Sequence, residues 1–193
     1  GGVNTSFQVN VIGVNDPPGV SGFSNLTINE DTSTNITVTV SDIETPAAAL
    51  TVSAASSTPA LVPNANLVLG GTGGTRTLAI TPATNQFGTT TITVTVSDGS
   101  AAASNSFVLT VQSVNDLPTL SDIADRVIDE DGSSGPISFT VGDVETTAGA
   151  LTLSASSTDP TLLPTNNVVF GGSGAGRTVN VTPVANRSGP ATI

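Results

Sequence analysis

Short runs of alternating apolar and polar residues are the main pattern along this chain. The clearest run is Ile36-Thr37-Val38-Thr39-Val40, in which Ile or Val occupies every second position and Thr the positions between. A period of two places successive side chains on opposite faces, so this run predicts a strand with one buried face. No segment of useful length shows the 3.6-residue period of a helix. The pattern therefore predicts an all-β protein.

Six further strands are predicted before residue 115, and clusters of Gly, Pro, Asn and Asp separate them. They cover residues 26–28, 50–54, 66–69, 76–80, 90–96 and 107–111. Seven short strands in about 100 residues, with regular turn signals between them, are typical of a β-sandwich. The predicted fold is therefore a seven-stranded antiparallel β-sandwich with Greek-key connections.

The same pattern occurs twice in tandem. Val14-Asn15-Asp16-Pro17-Pro18 returns 100 positions later as Val114-Asn115-Asp116-Leu117-Pro118. After one inserted residue, Asp42-Ile43-Glu44-Thr45 returns 101 positions later as Asp143-Val144-Glu145-Thr146. A period of about 100 residues is a common size for one domain. The Val-Asn-Asp-x-Pro segments are therefore predicted to be the joints between repeats.

The repeat register sets the predicted domain boundaries. Residues 15–114 form the first sandwich, and residues 115–193 form a second sandwich that lacks the counterparts of residues 93–111. Strands are expected in this second repeat at positions equivalent to those of the first, namely 137–141, 151–155, 168–170, 178–181 and 191–193. Because the Gly-Gly start falls within a repeat, the sequence is expected to be a part of a longer protein.

Residues 1–14 match the last strand of a preceding repeat, because Phe7, Val9 and Val11 alternate as the apolar residues of 106–112 do. Two arrangements of the chain ends follow. In one, a continuous polypeptide runs on through further repeats. In the other, residues 1–14 of one molecule fill the groove of the next and build a non-covalent homopolymer. We favour the continuous chain, because one donated strand does not replace the missing counterparts of residues 93–96.

Composition excludes several kinds of chemistry. The chain has no His, Cys, Lys, Tyr, Trp or Met. It therefore lacks a thiol nucleophile, an imidazole base, a Schiff-base lysine and the nitrogen or sulfur ligands of a zinc site. No nucleophile–base pair can be assembled from the remaining residues, so we do not expect an enzyme.

Net charge and hydropathy limit the classes of binding partner that the chain is expected to have. Fifteen Asp and Glu residues against four Arg give a net charge of −11, which repels nucleic-acid phosphates and attracts cations. No apolar run approaches the ~20 residues that span a membrane, so neither nucleic acid nor membrane insertion is expected. The expected partners are neighbouring repeats of the same chain or filament.

The carboxylates gather at the predicted strand ends. In a sandwich whose first strand runs away from the incoming linker, Glu30 and Asp31 fall at the far pole. Asp42, Glu44 and Asp98 fall at the near pole, because they follow returning strands. The far pole of one repeat is thus predicted to meet the joint and the near pole of the next.

These groups predict three calcium sites, since clustered carboxylates repel one another unless a cation lies among them and Ca²⁺ takes about six to eight oxygen ligands. The site between the two repeats comprises Glu30, Asp31, Asn115, Asp116, Asp143 and Glu145. The site shared with a preceding repeat comprises Asn15, Asp16, Asp42, Glu44 and Asp98. The site shared with a following repeat includes Glu130 and Asp131. The alternative is that these residues only cap turns and solvate loops.

Four short motifs carry a family resemblance: Val-Asn-Asp-x-Pro at the joint, Glu30-Asp31, Ser41-Asp42-Ile43-Glu44-Thr45 and Ser97-Asp98-Gly99. Together they resemble the cadherin-like and immunoglobulin-like tandem repeats of large bacterial surface and secreted adhesins. The resemblance covers essentially the whole chain. It departs from cadherins where their acidic ligands are replaced, at Gly13, Ser113, Asn85-Gln86 and Asn186-Arg187. These departures leave fewer ligands at each joint.

The resulting hypothesis is a structural stalk or filament segment of an extracellular or cell-surface bacterial protein, stiffened by calcium at its joints. One alternative is a ligand-binding adhesin module, which exposed Tyr or Trp would support, and neither residue occurs. The other alternative is the self-assembling fibre subunit joined by strand donation.

Overall fold

The computed structural model describes all 193 residues, which divide into two compact units, Gly1–Val114 and Asn115–Ile193. Unit 1 contains eight strands: β1 Gly19–Ser21, β2 Leu26–Asn29, β3 Thr34–Ser41, β4 Thr51–Ser56, β5 Leu67–Gly70, β6 Thr75–Ile80, β7 Gly88–Ser97 and β8 Ala102–Gln112. They form two four-stranded sheets, in the orders β1-β3-β6-β5 and β2-β8-β7-β4. A short 3₁₀ helix, Asn64–Asn66, precedes β5.

The all-β sandwich prediction is confirmed, and the structure adds an eighth strand. Predicted strand 26–28 is present as β2, but the preceding β1 pairs with β3 in the opposite sheet. Gly22 has φ +101° between the two strands, and a Cβ there would come within 3.2 Å of the Thr37 carbonyl oxygen. The chain therefore changes sheets at a position that suits glycine. The pairing of β2 with β8 is parallel, whereas the other pairings are antiparallel.

The core of unit 1 lies between these two sheets, as the alternation predicts. Val38 of β3 is fully buried, whereas the adjacent Thr39 is exposed. The buried apolar side chains come from both sheets and include Val40, Leu78, Ile80, Ile92, Val94, Val96, Phe107, Leu109 and Val111. Burying each such side chain contributes about 1.5–3 kcal/mol.

An arginine fixes the loop that follows β3. Arg76 donates from Nη2 to the carbonyl oxygens of Ala47 (3.0 Å) and Leu50 (3.3 Å) and from Nη1 to Gly71 (2.9 Å). Arg177 makes the equivalent bonds in unit 2, to Ala148, Leu151 and Gly172. Both guanidinium groups therefore bind backbone carbonyls and hold the loop that carries the near-pole carboxylates.

Unit 2 has four strands in a single sheet, of order β11-β12-β10-β9. They are β9 Thr119–Leu120, β10 Ile137–Gly142, β11 Val168–Ser173 and β12 Gly176–Val181, with a 3₁₀ helix at Thr165–Asn167. None of the helices in the structure is long and apolar enough to cross a membrane. The core is correspondingly small, with one cluster of five buried apolar residues: Ile137, Phe139, Val141, Val168 and Val179.

Two strands predicted in unit 2 are wrong, because residues 151–155 and 191–193 join no sheet. The physical reason is visible in unit 1. Strand β4, the counterpart of 151–155, pairs only with β7, and most of the β7 counterpart is missing from unit 2. A strand without a hydrogen-bonding neighbour does not form, whatever its side-chain pattern.

The burial contrast along β3 gives a test of the sandwich. We expect Val38→Asp to unfold unit 1, because an unpaired buried charge costs an energy comparable to the whole stability of a domain, about 5–15 kcal/mol. Thr39→Asp, one residue along on the exposed face, is expected to change stability by at most about 0.5 kcal/mol. Urea unfolding followed by far-ultraviolet circular dichroism measures both. Equal effects of the two substitutions would contradict the two-faced strand.

Candidate metal centre

The near pole of unit 1 is built around the turn that follows β3. Asp42 Oδ1 accepts hydrogen bonds from the backbone N–H groups of Glu44 (2.9 Å) and Thr45 (2.6 Å), which fix the turn. Asp42 Oδ2 is buried and has no hydrogen-bond partner. One carboxylate oxygen therefore shapes the loop, and the other remains available to a ligand.

The joint residues dock onto this turn. The Asp16 N–H donates to Glu44 Oε2 (3.1 Å), and Asn15 Nδ2 donates to Asp98 Oδ2 (2.9 Å). Asp98 also accepts the Ser100 and Ala101 N–H groups, at 2.6 and 2.7 Å. The Ala101 N–H, then the Asn15 amide, then the Ser100 N–H lower the pKa of Asp98 below its usual value, so this carboxylate stays charged to more acidic pH.

Unit 2 repeats this arrangement. Asp143 Oδ1 accepts the N–H groups of Glu145 (3.1 Å) and Thr146 (2.6 Å), and the Asp116 N–H donates to Glu145 Oε2 (2.9 Å). Asn115 Nδ2 donates to the Asp116 carbonyl (2.6 Å). Glu145 Oε1 is buried without a hydrogen-bond partner. The structure thus brings together Asn115, Asp116, Asp143 and Glu145 within one unit.

At the far pole of unit 1, Glu30 is almost fully buried, with 3% of its surface exposed. Its N–H donates to the Gln112 carbonyl at the end of β8 (2.8 Å), and its Oε1 accepts the Val114 N–H (2.8 Å). Its Oε2 is buried and has no partner. Glu30 therefore fixes the chain immediately before the second joint while one of its oxygens remains uncompensated.

Asp31 and Asp131 each have a structural role that the sequence analysis missed. Asp31 adopts φ 56°, and its Oδ1 accepts the N–H of Asn85, which also has φ 56°. Asp131 (φ 64°) binds the N–H of Asn186 in the same way, at 2.8 Å. The recurrence of Asn at both positions was the available signal, because Asn tolerates left-handed backbone.

The predicted ligands therefore fall into local groups. Asn15, Asp16, Asp42, Glu44 and Asp98 lie together in unit 1, and the counterparts of the first four, Asn115, Asp116, Asp143 and Glu145, lie together in unit 2. Glu30 and Asp31 belong to the other pole of unit 1, and Glu130 is exposed in unit 2. Nowhere in the structure do three or more carboxylates gather closely enough to hold a metal ion.

The donor set nevertheless suits a hard cation. Buried carboxylate oxygens on Glu30, Asp42 and Glu145 have no hydrogen-bond partner. A buried anionic oxygen without a hydrogen-bond donor is costly, and a cation removes that cost. Ca²⁺ is bound by carboxylate, amide and backbone oxygens, which is the chemistry that these poles offer.

Solved structures similar to this chain include immunoglobulin domains of titin. The titin domains Z1Z2 in complex with telethonin are 12% identical, with a TM-score of 0.40, and the match covers 89% of this chain and 84% of that one. Titin domain M7 is 21% identical with a TM-score of 0.40, over 51% of this chain and 97% of that one. No curated protein matches the sequence.

A family model decides the classification. The model of the bacterial Ig domain matches residues 15–112, which are just over half of the chain and include β1 to β8 of unit 1. The immunoglobulin-like resemblance inferred from the joint and turn motifs is therefore confirmed. This chain belongs to the bacterial Ig domain family.

Proposed function

We propose that the chain is a structural segment of a stalk or filament, in an extracellular or cell-surface bacterial protein whose joints are stiffened by Ca²⁺. Bacterial Ig domains are a non-enzymatic kind of domain and usually belong to surface or extracellular proteins. The observation that carries the calcium proposal is the set of buried, uncompensated carboxylate oxygens on Glu30, Asp42 and Glu145.

Two of the four arginines, Arg76 and Arg177, bind backbone oxygens instead of these carboxylates. The chain carries a net charge of −11, so its surface potential concentrates cations from solution. A divalent cation compensates several carboxylates at once, which an isolated arginine at one pole does not.

The linker connects the two kinds of pole. Glu30 binds the Val114 N–H, and Glu145 binds the Asp116 N–H two residues later. We infer that Ca²⁺ restrains this linker when it binds at either end of it, to Glu30 and Asp31 in unit 1 or to Asn115, Asp116, Asp143 and Glu145 in unit 2. Asn15, Asp16, Asp42, Glu44 and Asp98 would serve a preceding repeat in the same way, and Glu130 and Asp131 a following one. The mechanical consequence is a stiffer array, since the joints are its most flexible points.

Calcium is expected to stabilise and stiffen the 193-residue chain. Extracellular modules bind Ca²⁺ with Kd values of roughly 10⁻⁴–10⁻³ M. An ion concentration between about ten and a hundred times Kd adds about 1.4–2.7 kcal/mol to the folded state. Thermal melting and small-angle X-ray scattering in CaCl₂ and in EGTA measure the two effects, with MgCl₂ as the control for ionic strength. Identical melting and identical scattering profiles in CaCl₂ and EGTA would refute the proposal.

The Glu30→Gln substitution tests whether Glu30 is a calcium ligand or has only a structural role. The amide oxygen keeps the acceptor for the Val114 N–H, while the uncompensated charge is removed. In EGTA we expect this variant to be more stable than the wild type by about 1 kcal/mol or more. Calcium should stabilise this variant by at most half as much as it stabilises the wild type. The variant is thus expected to be the more stable of the two in EGTA and to lose that advantage in CaCl₂.

Glu130→Gln is the matched control, because Glu130 is the exposed counterpart of Glu30. It should leave stability in EGTA within about 0.5 kcal/mol of the wild type. Chemical unfolding of both variants in both buffers provides the comparison. A destabilised Glu30→Gln variant that keeps the full calcium response would show that Glu30 is a structural residue and not a ligand.

A further inference from the structure

The edge strands of the two sheets in unit 1 are protected to different degrees. An edge strand presents unpaired N–H and C=O groups, which another strand can bind, and short length, prolines and charges usually prevent this. Strand β1 has three residues and follows Pro17-Pro18, and β2 has four and is followed by Glu30-Asp31. Strand β5 also has four, and its first N–H group, on Leu67, already donates to the Asn64 carbonyl oxygen.

Strand β4, the remaining edge, lacks this protection. Its sequence is Thr51-Val52-Ser53-Ala54-Ala55-Ser56, which contains no Pro, Gly or charged residue. The Ser57 N–H donates to the carbonyl oxygen of Thr91 opposite it, and hydrogen-bonded pairs alternate along an antiparallel ladder. The backbone groups of Val52 and Ala54 therefore point away from β7, and no hydrogen bond satisfies them.

Both ends of this edge already have partners. The Ser56 N–H donates to Asn64 Oδ1 (2.8 Å), and the Leu50 carbonyl oxygen accepts from Arg76 Nη2 (3.3 Å). The unpaired N–H and C=O groups are thus confined to the two residues on either side of Ser53. A strand that pairs with this edge in the antiparallel direction is centred on Ser53.

The charge distribution favours a second copy of this chain as that strand. The carboxylates of unit 1 all lie outside its strands, at Asp16, Glu30, Asp31, Asp42, Glu44 and Asp98. The outer face of β4 and the adjoining face of β7 carry only Thr, Ser and Ala. Like charges directly opposite each other destabilise a strand pair, so a strand pairs with its own copy most readily where it has none. Two chains of net charge −11 can therefore touch along β4 without bringing carboxylates together.

We propose that β4 is a self-association edge, at which β4 of a second copy pairs antiparallel about a twofold axis at Ser53. Val52 is then opposite Ala54 of the second copy, and each such pair exchanges two hydrogen bonds. The two Ser53 residues form a non-hydrogen-bonded pair, with Cα atoms about 4.5 Å apart. The contact uses the same surface on both molecules, so it closes as a dimer and joins their sheets side by side. It does not depend on the calcium proposal.

Single cysteines test the register, because the chain has no Cys. Under mild oxidation Ser53→Cys is expected to form an intermolecular disulfide, which needs Cα atoms about 4.4–6.8 Å apart. Thr51→Cys is the matched control on the same exposed face, and its two copies lie more than about 10 Å apart in the proposed register. It should cross-link about tenfold or more slowly by itself but readily with Ala55→Cys, which lies opposite. Non-reducing gel electrophoresis measures both rates.

A charge at the twofold axis tests the contact without cysteines. Ser53→Asp places two carboxylates opposite each other and should weaken association about tenfold or more. Ser106→Asp is the control, because it puts the same charge on the exposed face of β8, away from the edge. It should associate like the wild type, and neither substitution should change thermal melting. Sedimentation equilibrium in EGTA, at protein concentrations up to the millimolar range, measures association.

Equal cross-linking of Ser53→Cys and Thr51→Cys, or equal association of Ser53→Asp and Ser106→Asp, would overturn the proposal. A wild-type chain that is monomeric at every concentration would also overturn it. Association that requires CaCl₂ would place the contact at the carboxylate-bearing poles instead of at β4. A monomeric wild-type chain that binds an unrelated extended peptide at β4 would assign this edge to a different protein.

Discussion

The fold depends on whether each edge strand has a neighbouring strand with which its backbone can form hydrogen bonds. In the sheet β2-β8-β7-β4, the outer strands pair with β8 and β7 alone. Unit 2 has residues with the same alternation as β4, at 151–155, yet they form no strand because most of the β7 counterpart is absent. The other sheet contains neither β7 nor β8, and its counterpart in unit 2 forms without them. Whether an alternating segment becomes a strand is therefore decided by its partner, not by its own residues.

At the poles, the two oxygens of one carboxylate have different surroundings. On Asp42, Glu145 and Glu30, one oxygen accepts backbone N–H groups, and the other is buried without a donor. The first oxygen fixes the loop or linker, which means that the second is held in place before any ligand arrives. Such preorganisation lowers the ordering cost of binding. It also means that these residues are both structural and available as ligands, so their roles cannot be separated by deleting the side chain.

Much of the fold could be predicted, because the two-residue alternation of the strands and the repeat of about 100 residues are both visible in the sequence. Ile36 to Val40 specifies a two-faced strand, and its repeat at 137–141 is also a strand. The split of the first strand could not be predicted, because Gly19–Ser21 is too short to show alternation. The local groups of carboxylates followed from strand order. The hydrogen bond from Asn85 to Asp31 depends on a left-handed backbone, which the alternation of apolar and polar residues does not show and for which the recurring Asn was the signal.

Glu30 couples the last strand of a repeat to the chemistry of its joint. Its backbone N–H binds the end of β8 at Gln112, its Oε1 binds Val114, and its Oε2 is uncompensated. Removing β8 would expose this carboxylate to water, as Glu130 is exposed in unit 2, and would remove the buried oxygen on which the calcium proposal rests. A cation bound to Glu30 would therefore stabilise the packing of β8 by mass action, and β8 in turn would keep the carboxylate in the position that binds the cation. Under the calcium proposal, the packing of β8 and ion binding at this pole are thermodynamically linked, and each strengthens the other.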